Sequence, residues 1–194
     1  ALVPHTPNFS GEIAGARGAM RRLAHAVSRR CFSSVRSLRE AAAAATSVAG
    51  LDLGKSTELM CNNLMCENVG ERCACRLALW FHTHAMPNLE TLSLARNDLR
   101  FLPEAIFDMP KLRMLDVSAN RLEALPAAVA RLDRLEALHL HSNALSKLPL
   151  ELFDLPRLET IRVDGNAASL APPPGDHRWE ASDDGAVLTR RRPP

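Results

Sequence analysis

A chain of 194 residues with 46% hydrophobic and 24% charged residues has the composition of a folded protein. Its formal net charge is only +2, and residues 89–171 carry ten basic against twelve acidic residues, which excludes a concentrated basic surface for nucleic acid on that region. No stretch approaches the roughly 20 apolar residues of a membrane-spanning helix, so we expect no membrane span and at most a peripheral association.

The first 50 residues have a strongly basic character. They carry seven arginines and only two acidic residues, Glu12 and Glu40. After Met20, apolar residues recur at helical spacing between the arginines: Leu23, Val27, Cys31, Val35 and Leu38. An amphipathic, arginine-rich and acid-poor helix is typical of a mitochondrial import presequence.

Residues 30–33 of this segment resemble a presequence processing site. The resemblance implies cleavage after Phe32 and makes Met20 the natural start. We therefore predict that residues 1–50 are a basic targeting-like, disordered or extended leader and that the protein lies on the matrix side of mitochondria. A cytoplasmic protein with a basic disordered tail and a plastid protein with a transit peptide are the alternatives.

An apolar helical pattern separates the leader from the region that follows it. Between Asn68 and His84 a single stripe contains Val69, Cys73, Leu77, Trp80 and Phe81. This spacing predicts a capping helix, and a further helix is expected from Ser56 to Cys66. We interpret residues 51–88 as a helical N-terminal cap.

Cysteines are concentrated in this cap. They are Cys61, Cys66, Cys73 and Cys75, and His82 and His84 follow them. Their spacings are not those of a zinc knuckle or ribbon. On a helix, residues two positions apart point in nearly opposite directions, so Cys73 and Cys75 could not share a metal ion. We predict free thiols, no metal and no cofactor.

From Leu89 onward the chain aligns with itself at an offset of 23 residues. Three apolar columns recur in four units: Leu89, Leu112, Leu135 and Leu158; Leu92, Leu115, Leu138 and Ile161; Leu94, Val117, Leu140 and Val163. Alternation of apolar and polar residues around the second and third columns predicts one short strand per unit, parallel to the next. Apolar residues later in each unit, such as Ile106 and Phe107, predict a short helical return.

Asparagine and proline recur in the same register. The columns are Asn97, Asn120, Asn143 and Asn166, and Pro103, Pro126, Pro149 and Pro172. Each asparagine follows a strand where the chain must turn, and its amide can satisfy backbone groups of adjacent turns. We interpret the asparagines as a structural ladder.

The repeat LxxLxLxxNxLxxLPxxIFxLPxL resembles the leucine-rich-repeat family in the 23-residue form of Ras-group scaffolds and plant intracellular relatives. The resemblance covers residues 89–172, under half of the chain. It implies an α/β fold: a short solenoid of about four repeats, with parallel strands on the concave face and short helical turns on the convex face.

The repeat pattern decays after Asn166, and residues 173–194 are predicted to be an extended tail. Trp179 is the large apolar residue of this tail. We expect it to fold back over the last turn or to bind a partner. Arg190 to Arg192 are expected to be a solvated end.

Outward-facing residues of the strands form a predicted concave surface for partners. The candidates are Ser93, Met114, Asp116, Ser118, His139, His141, Arg162 and Asp164. Neighbouring strands lie about 4.8 Å apart, so His139 is expected between Asp116 and Arg162. Two histidines beside carboxylates are also the best candidates for metal or acid–base chemistry, but we favour a polar binding surface.

Catalytic motifs are missing from the sequence, including phosphate-cradling glycine loops and nucleophile elbows. We predict a non-catalytic scaffold that binds other proteins, most simply a structural or assembly subunit of a large mitochondrial complex such as a ribosome or respiratory assembly. A cytosolic adaptor similar to the Ras-group scaffolds is the alternative, and a substrate-recruiting arm of a larger enzyme is a third. The repeats are not expected to contact nucleic acid directly.

Overall fold

Seven short strands form one sheet in the computed structural model, which describes residues 35–59, 74–166 and 170–191. They are β1 (Gly50–Asp52), β2 (Thr91–Ser93), β3 (Met114–Asp116), β4 (Ala137–His139), β5 (Thr160–Arg162), β6 (Trp179–Ala181) and β7 (Val187–Arg190). The order in the sheet is β1-β2-β3-β4-β5-β7-β6. Strands β1 to β5 are parallel and in consecutive register. The predicted α/β solenoid is confirmed.

Short helical segments close the opposite side of the solenoid. They are the helices α1 (Leu38–Ala43) and α2 (Ala74–Thr83) and the 3-10 turns η1 (Thr57–Leu59), η2 (Glu104–Asp108), η3 (Ala127–Arg131) and η4 (Leu150–Asp154). Pro103, Pro126 and Pro149 precede η2, η3 and η4 with φ of −69°, −69° and −66°. These are the values that the pyrrolidine ring imposes, so each proline directs the chain into its turn.

The core is a stack of apolar side chains. Each rung of the solenoid, meaning one strand with its turn and helical return, contributes one set. Leu92, Leu115, Leu138 and Ile161, at the centres of successive strands, are at most 1% exposed. Burying each such side chain contributes about 1.5–3 kcal/mol. Because each layer is covered by the layers on either side of it, stability depends on stacking and on covering both ends.

A residue in the left-handed conformation precedes each ladder asparagine and also Ser56, which occupies the equivalent position in the first rung and donates its backbone N–H to Asn97 Oδ1. The residues are Lys55 (φ 54°), Arg96 (60°), Ala119 (51°), Ser142 (56°) and Gly165 (67°). Only the last is a glycine, and the others accept a strain of about 1 kcal/mol or more. The stacked rungs impose this turn regardless of local preference.

The asparagines satisfy backbone groups of adjacent rungs. Asn120 Oδ1 accepts hydrogen bonds from the backbone N–H groups of Asn97 and Leu99, both at 3.0 Å. Its Nδ2 donates to the carbonyl oxygens of Leu94 and Val117 at 3.0 and 2.9 Å. The same type of bonding recurs along the column Asn97, Asn120, Asn143 and Asn166. The strands are too short for the hydrogen bonds between them to satisfy these backbone groups.

The solenoid begins earlier than the sequence division predicted. Strand β1 pairs with β2, with Leu51 opposite Leu92, and Val35 bridges Leu51 on its other side. Residues 35–50, which we assigned to the leader, therefore belong to the fold, and the predicted helical cap opens with a strand. Leu38 and Ala41 of α1 are buried in the core, which explains why this segment packs rather than extends.

The C-terminal segment also differs from the prediction. Residues 179–190, placed in an extended tail, form the antiparallel hairpin β6-β7. Strand β7 is antiparallel to β5, with Leu188 opposite Ile161. Because the last rung lacks a following repeat, the hairpin supplies the apolar cover that a further unit would give.

Trp179 and Arg190 anchor this hairpin. Trp179 is 4% exposed, and its ring lies edge-on to Phe153 with centroids 5.6 Å apart. The expectation that the tryptophan folds back is confirmed. Arg190 is not a solvated end, because its guanidinium donates to the carbonyl oxygens of Leu155 and Pro156 at 2.7 and 2.9 Å.

Several predictions fall outside the described residues. They include the start at Met20, cleavage after Phe32, and the placement of Cys61, Cys66 and Cys73. The cap helix expected from Asn68 is described from Ala74 onward, and of the helix predicted from Ser56 to Cys66 only the turn η1 is described. Within the described ranges, every helix is too short or too polar to cross a membrane.

Candidate partner-binding surface

The third residues of the five parallel strands form one row across the concave face. We call this row the central column: Asp52, Ser93, Asp116, His139 and Arg162. The parallel register places neighbouring members about 4.8 Å apart. The first residues of the same strands form a flanking row, in which Met114 is the exposed apolar member at 40%. Four of the predicted partner-binding residues thus lie side by side.

His139 lies at the charged centre of this face. Burial lowers the pKa of His139, the carboxylate of Asp116 acts in the opposite direction, and the electrostatic interactions with Arg162 and His141 lower it further. The imidazole rings of His139 and His141 are 6.1 Å apart. His139 is therefore expected to be mainly neutral near pH 7, so that Arg162 is the permanent cation of this half.

A second row lies two residues beyond the central column. Its side chains belong to Ser118, His141 and Asp164. Ser118 is only 5% exposed, and its backbone N–H donates to Asp116 Oδ1 at 3.0 Å. Its predicted role in partner binding is therefore corrected to a role in closing the turn, because its side chain is covered.

His141 and Asp164 keep unsatisfied polar atoms. Among the described residues, neither His141 Nδ1 nor Asp164 Oδ1 has a hydrogen-bond partner. Arg162 Nη2 lies 3.7 Å from Asp164 Oδ1, which is an ion pair beyond hydrogen-bond distance. Both atoms are buried, so a partner on the concave face does not contact them directly in this geometry.

Sequence reasoning missed two charged residues of this surface, Asp52 and Arg36. Asp52 is the first member of the central column, and Arg36 follows Val35, which pairs with Leu51. A signal was available: Leu51-Asp52-Leu53 has the same alternation as Leu115-Asp116-Val117. The 41-residue distance from Leu51 to Leu92 concealed it because it breaks the 23-residue period.

Metal chemistry receives no support from the described residues. None of their His, Cys, Asp and Glu side chains form a group of three or more that could hold a metal ion. His84, one of the histidines near the cysteines, stacks on the indole of Trp80 with centroids 4.8 Å apart. Its Nδ1 lies 3.1 Å from the carbonyl oxygen of the same tryptophan, so it closes the end of α2.

Comparison with known proteins agrees with this geometry. Residues 80–122 match the family model for the leucine-rich repeat. A solved structure of a leucine-rich-repeat protein from Leptospira interrogans is similar, with a TM-score of 0.50, 23% sequence identity and coverage of 69% of this chain. Residues 80–122 are thus identified as leucine-rich repeats, and the solenoid around them has the fold of such repeats.

The likeness to the Leptospira structure concerns the fold alone at this level of identity. The chain spans only 36% of that protein's length. No curated protein matches the sequence. Leucine-rich repeats are generally non-catalytic modules for protein–protein interaction, so the family indicates a protein-binding role.

The lowered pKa of His139 predicts a pH dependence of stability. The unfolded chain, with a histidine pKa near 6.5, takes up a proton before the folded chain does. The stabilising contribution is therefore present above about pH 6.5 and is lost as the pH falls through the folded pKa. In His139→Gln the free energy of unfolding should fall less between about pH 7 and 5 than in the wild type. Urea titrations at several pH values measure this slope, and parallel curves would contradict the prediction.

Proposed function

We propose that this leucine-rich-repeat protein is a non-catalytic scaffold whose concave strands bind a folded protein, and that it serves as a structural or assembly subunit of a large mitochondrial complex. The observation that carries the binding role is the central column. Its side chains are polar or charged and face away from the core in continuous register over five strands. A rigid sheet presents them with little loss of conformational entropy on binding.

The mitochondrial part of the proposal rests on the sequence of the leader. An arginine-rich, acid-poor segment is typical of import presequences. The suggested cleavage after Phe32 is compatible with the fold, because every described residue, from Val35 onward, lies beyond it. Processing at that point would leave α1, β1 and their core contacts intact.

Asp116→Arg tests the binding role. The substitution reverses a charge in the middle of the column. It should weaken partner binding at least about tenfold, because a partner group that complements the Asp116 carboxylate would then meet a charge of its own sign. Asp116 lies beside the buried strand centre and not within it, but its Oδ1 accepts the Ser118 N–H at 3.0 Å, so the variant should lose about 1–3 kcal/mol of stability and still fold, which circular dichroism and the thermal midpoint check. Binding is measured by co-purification from mitochondrial extract through a C-terminal tag, with size-exclusion chromatography and quantitative mass spectrometry.

Glu123→Arg is the matched control, because it makes the same charge change at an exposed residue outside the strands. It should retain the partner. Wild-type protein in a large assembly, with a mature N-terminus near Ser33, would support the full proposal. A cytosolic monomer that keeps its leader would contradict the proposal and favour the alternative of a cytosolic adaptor. Equal binding by Asp116→Arg would move the interface off the concave face.

A further inference from the structure

The charges of the central column have a direction across the sheet. Asp52 and Asp116 lie on β1 and β3, on either side of Ser93. His139 and Arg162 follow on β4 and β5. The column is therefore acidic over its first three strands and carries its permanent cation at the last parallel strand.

We propose that the concave face binds a protein segment that presents a basic side chain over Ser93 and an acidic side chain toward Arg162, in that direction only. The inference rests on the proposed scaffold function and names the chemistry of its partner. Electrostatic complementarity of this kind fixes orientation and excludes wrong partners more than it adds affinity.

The two carboxylates are held in the same way. Asp52 Oδ1 accepts a hydrogen bond from the backbone N–H of Gly54 at 3.0 Å, and Asp116 Oδ1 accepts one from Ser118 at 3.0 Å. Both side chains are thus oriented before a partner arrives. A cationic group over Ser93 would lie about 5 Å from each carboxylate row, since strands are spaced by about 4.8 Å.

Arg36 limits where a partner cation can bind along the acidic half of the column, which runs from Asp52 to Asp116. This exposed residue lies next to Asp52 at the outer end of the column. A partner cation beyond Asp52 would meet the positive charge of Arg36. The favourable position for the cation is therefore over Ser93 and toward Asp116, which fixes the register of the segment as well as its direction.

The cationic half remains available to a partner. The Arg162 side chain is 48% exposed, and its contact with Asp164 at 3.7 Å is a surface ion pair, a type that contributes little to stability. A carboxylate of the partner can replace it with small loss. Beside Asp116, the exposed side chain of Met114 offers a flexible apolar contact, as is common where proteins meet.

This arrangement favours a protein over a nucleic acid. A phosphate backbone carries one sign of charge throughout and would meet Asp52 and Asp116 across half of the column. A polypeptide carries both signs and can match the alternation. A nucleic-acid partner is therefore an outcome that would overturn the inference.

The decisive variant exchanges the two charges, as Asp116→Arg with Arg162→Asp. Net charge is preserved, and the signs at β3 and β5 are exchanged while Asp52 keeps its negative charge. The probe is the protein that co-purifies with the wild-type chain after nuclease treatment. Its dissociation constant for the exchanged variant should rise at least about a hundredfold, because both contacts become repulsive. The matched control, Glu123→Arg with Arg134→Glu, exchanges charges at exposed residues outside the strands and should bind like the wild type.

Two conservative variants keep the test valid if the exchanged protein folds poorly. Asp116→Asn retains an oxygen for the Ser118 N–H, and Arg162→Gln removes the cation without introducing a new charge. Each should weaken binding several-fold, roughly threefold to tenfold, and should reduce the salt dependence of binding.

The outcomes separate the inference from the proposed function. If the exchanged and neutral variants bind like the wild type, the directional face is overturned and the interface moves off the concave face, while a scaffold with a protein partner remains. Loss of the bound material on nuclease treatment also overturns the inference. If the wild-type chain has no stoichiometric partner, the proposed function itself fails.

Discussion

Asn120→Ala is expected to destabilise the solenoid by about 2–6 kcal/mol. The substitution removes the acceptor for the backbone N–H groups of Asn97 and Leu99, both bonded at 3.0 Å in a buried environment. Each buried donor left without an acceptor costs about 1–3 kcal/mol. The free energy of unfolding from urea titrations measures the effect. Since many proteins have a total stability of only about 5–15 kcal/mol, this is a large fraction.

The carbonyl oxygens bonded to Asn120 matter less than these donors. Leu94 keeps a bond from the Asn97 side chain at 2.9 Å, and Val117 keeps one from Asn143 at 3.0 Å. Asn166→Ala is the matched control, because among the described residues this half-buried side chain accepts from a single backbone donor, Leu145 N, at 3.1 Å. It should cost about half as much or less. Equal losses at the two positions would mean that the ladder does not act through buried donors.

The ladder also shows what the sequence could predict. A strict 23-residue period fixes which side chains share a column, and the strand register follows from it directly: Leu92, Leu115 and Leu138 are aligned as predicted. The physical reason is that every repeat buries the apolar centre of its strand and follows it with a turn whose backbone groups need an amide side chain as a hydrogen-bond partner. Periodicity therefore predicts both the fold and the stacking.

The ends of the solenoid could not be predicted in this way because no period reaches them. The rung containing Leu51 is separated from the next by a longer connection, and Ser56 replaces the asparagine there, donating its backbone N–H to Asn97 Oδ1 at 2.9 Å. At the other end the hairpin reverses strand direction. Its alternation over Trp179 and Leu188 is too short to distinguish a strand from an extended tail.

The sequence predicted which side chains lie on the candidate surface, but it did not predict how exposed each of them is. Alternation along a strand placed Asp116, His139 and Arg162 on one face, and the register of the structure has them side by side. Burial of Ser118 was not predictable, because it lies just beyond the strand, where the chain already turns inward.

Trp179→Ala is expected to destabilise the protein by about 3–5 kcal/mol, as for other large aromatic residues removed from a core. The side chain is 4% exposed, packs edge-on against Phe153 and donates from Nε1 to the carbonyl oxygen of Phe153 at 3.3 Å. Thermal or urea unfolding measures the loss. Asp183→Ala, at an exposed position in the turn of the same hairpin, should change stability by no more than about 0.5 kcal/mol.

Hydrogen exchange distinguishes a cap from an ordinary core residue. In a solenoid each rung contacts mainly its neighbours, so loss of a cap should open the structure from that end. In Trp179→Ala, exchange should accelerate first at the amide of Val163, which donates to Ala186 of the hairpin at 2.8 Å. The amide of Leu94, bonded to Asp116 at 2.7 Å, lies three rungs away and should retain more protection. Equal acceleration at both amides would show that the hairpin and the repeats unfold as one unit, and that Trp179 stabilises the whole solenoid rather than its last rung.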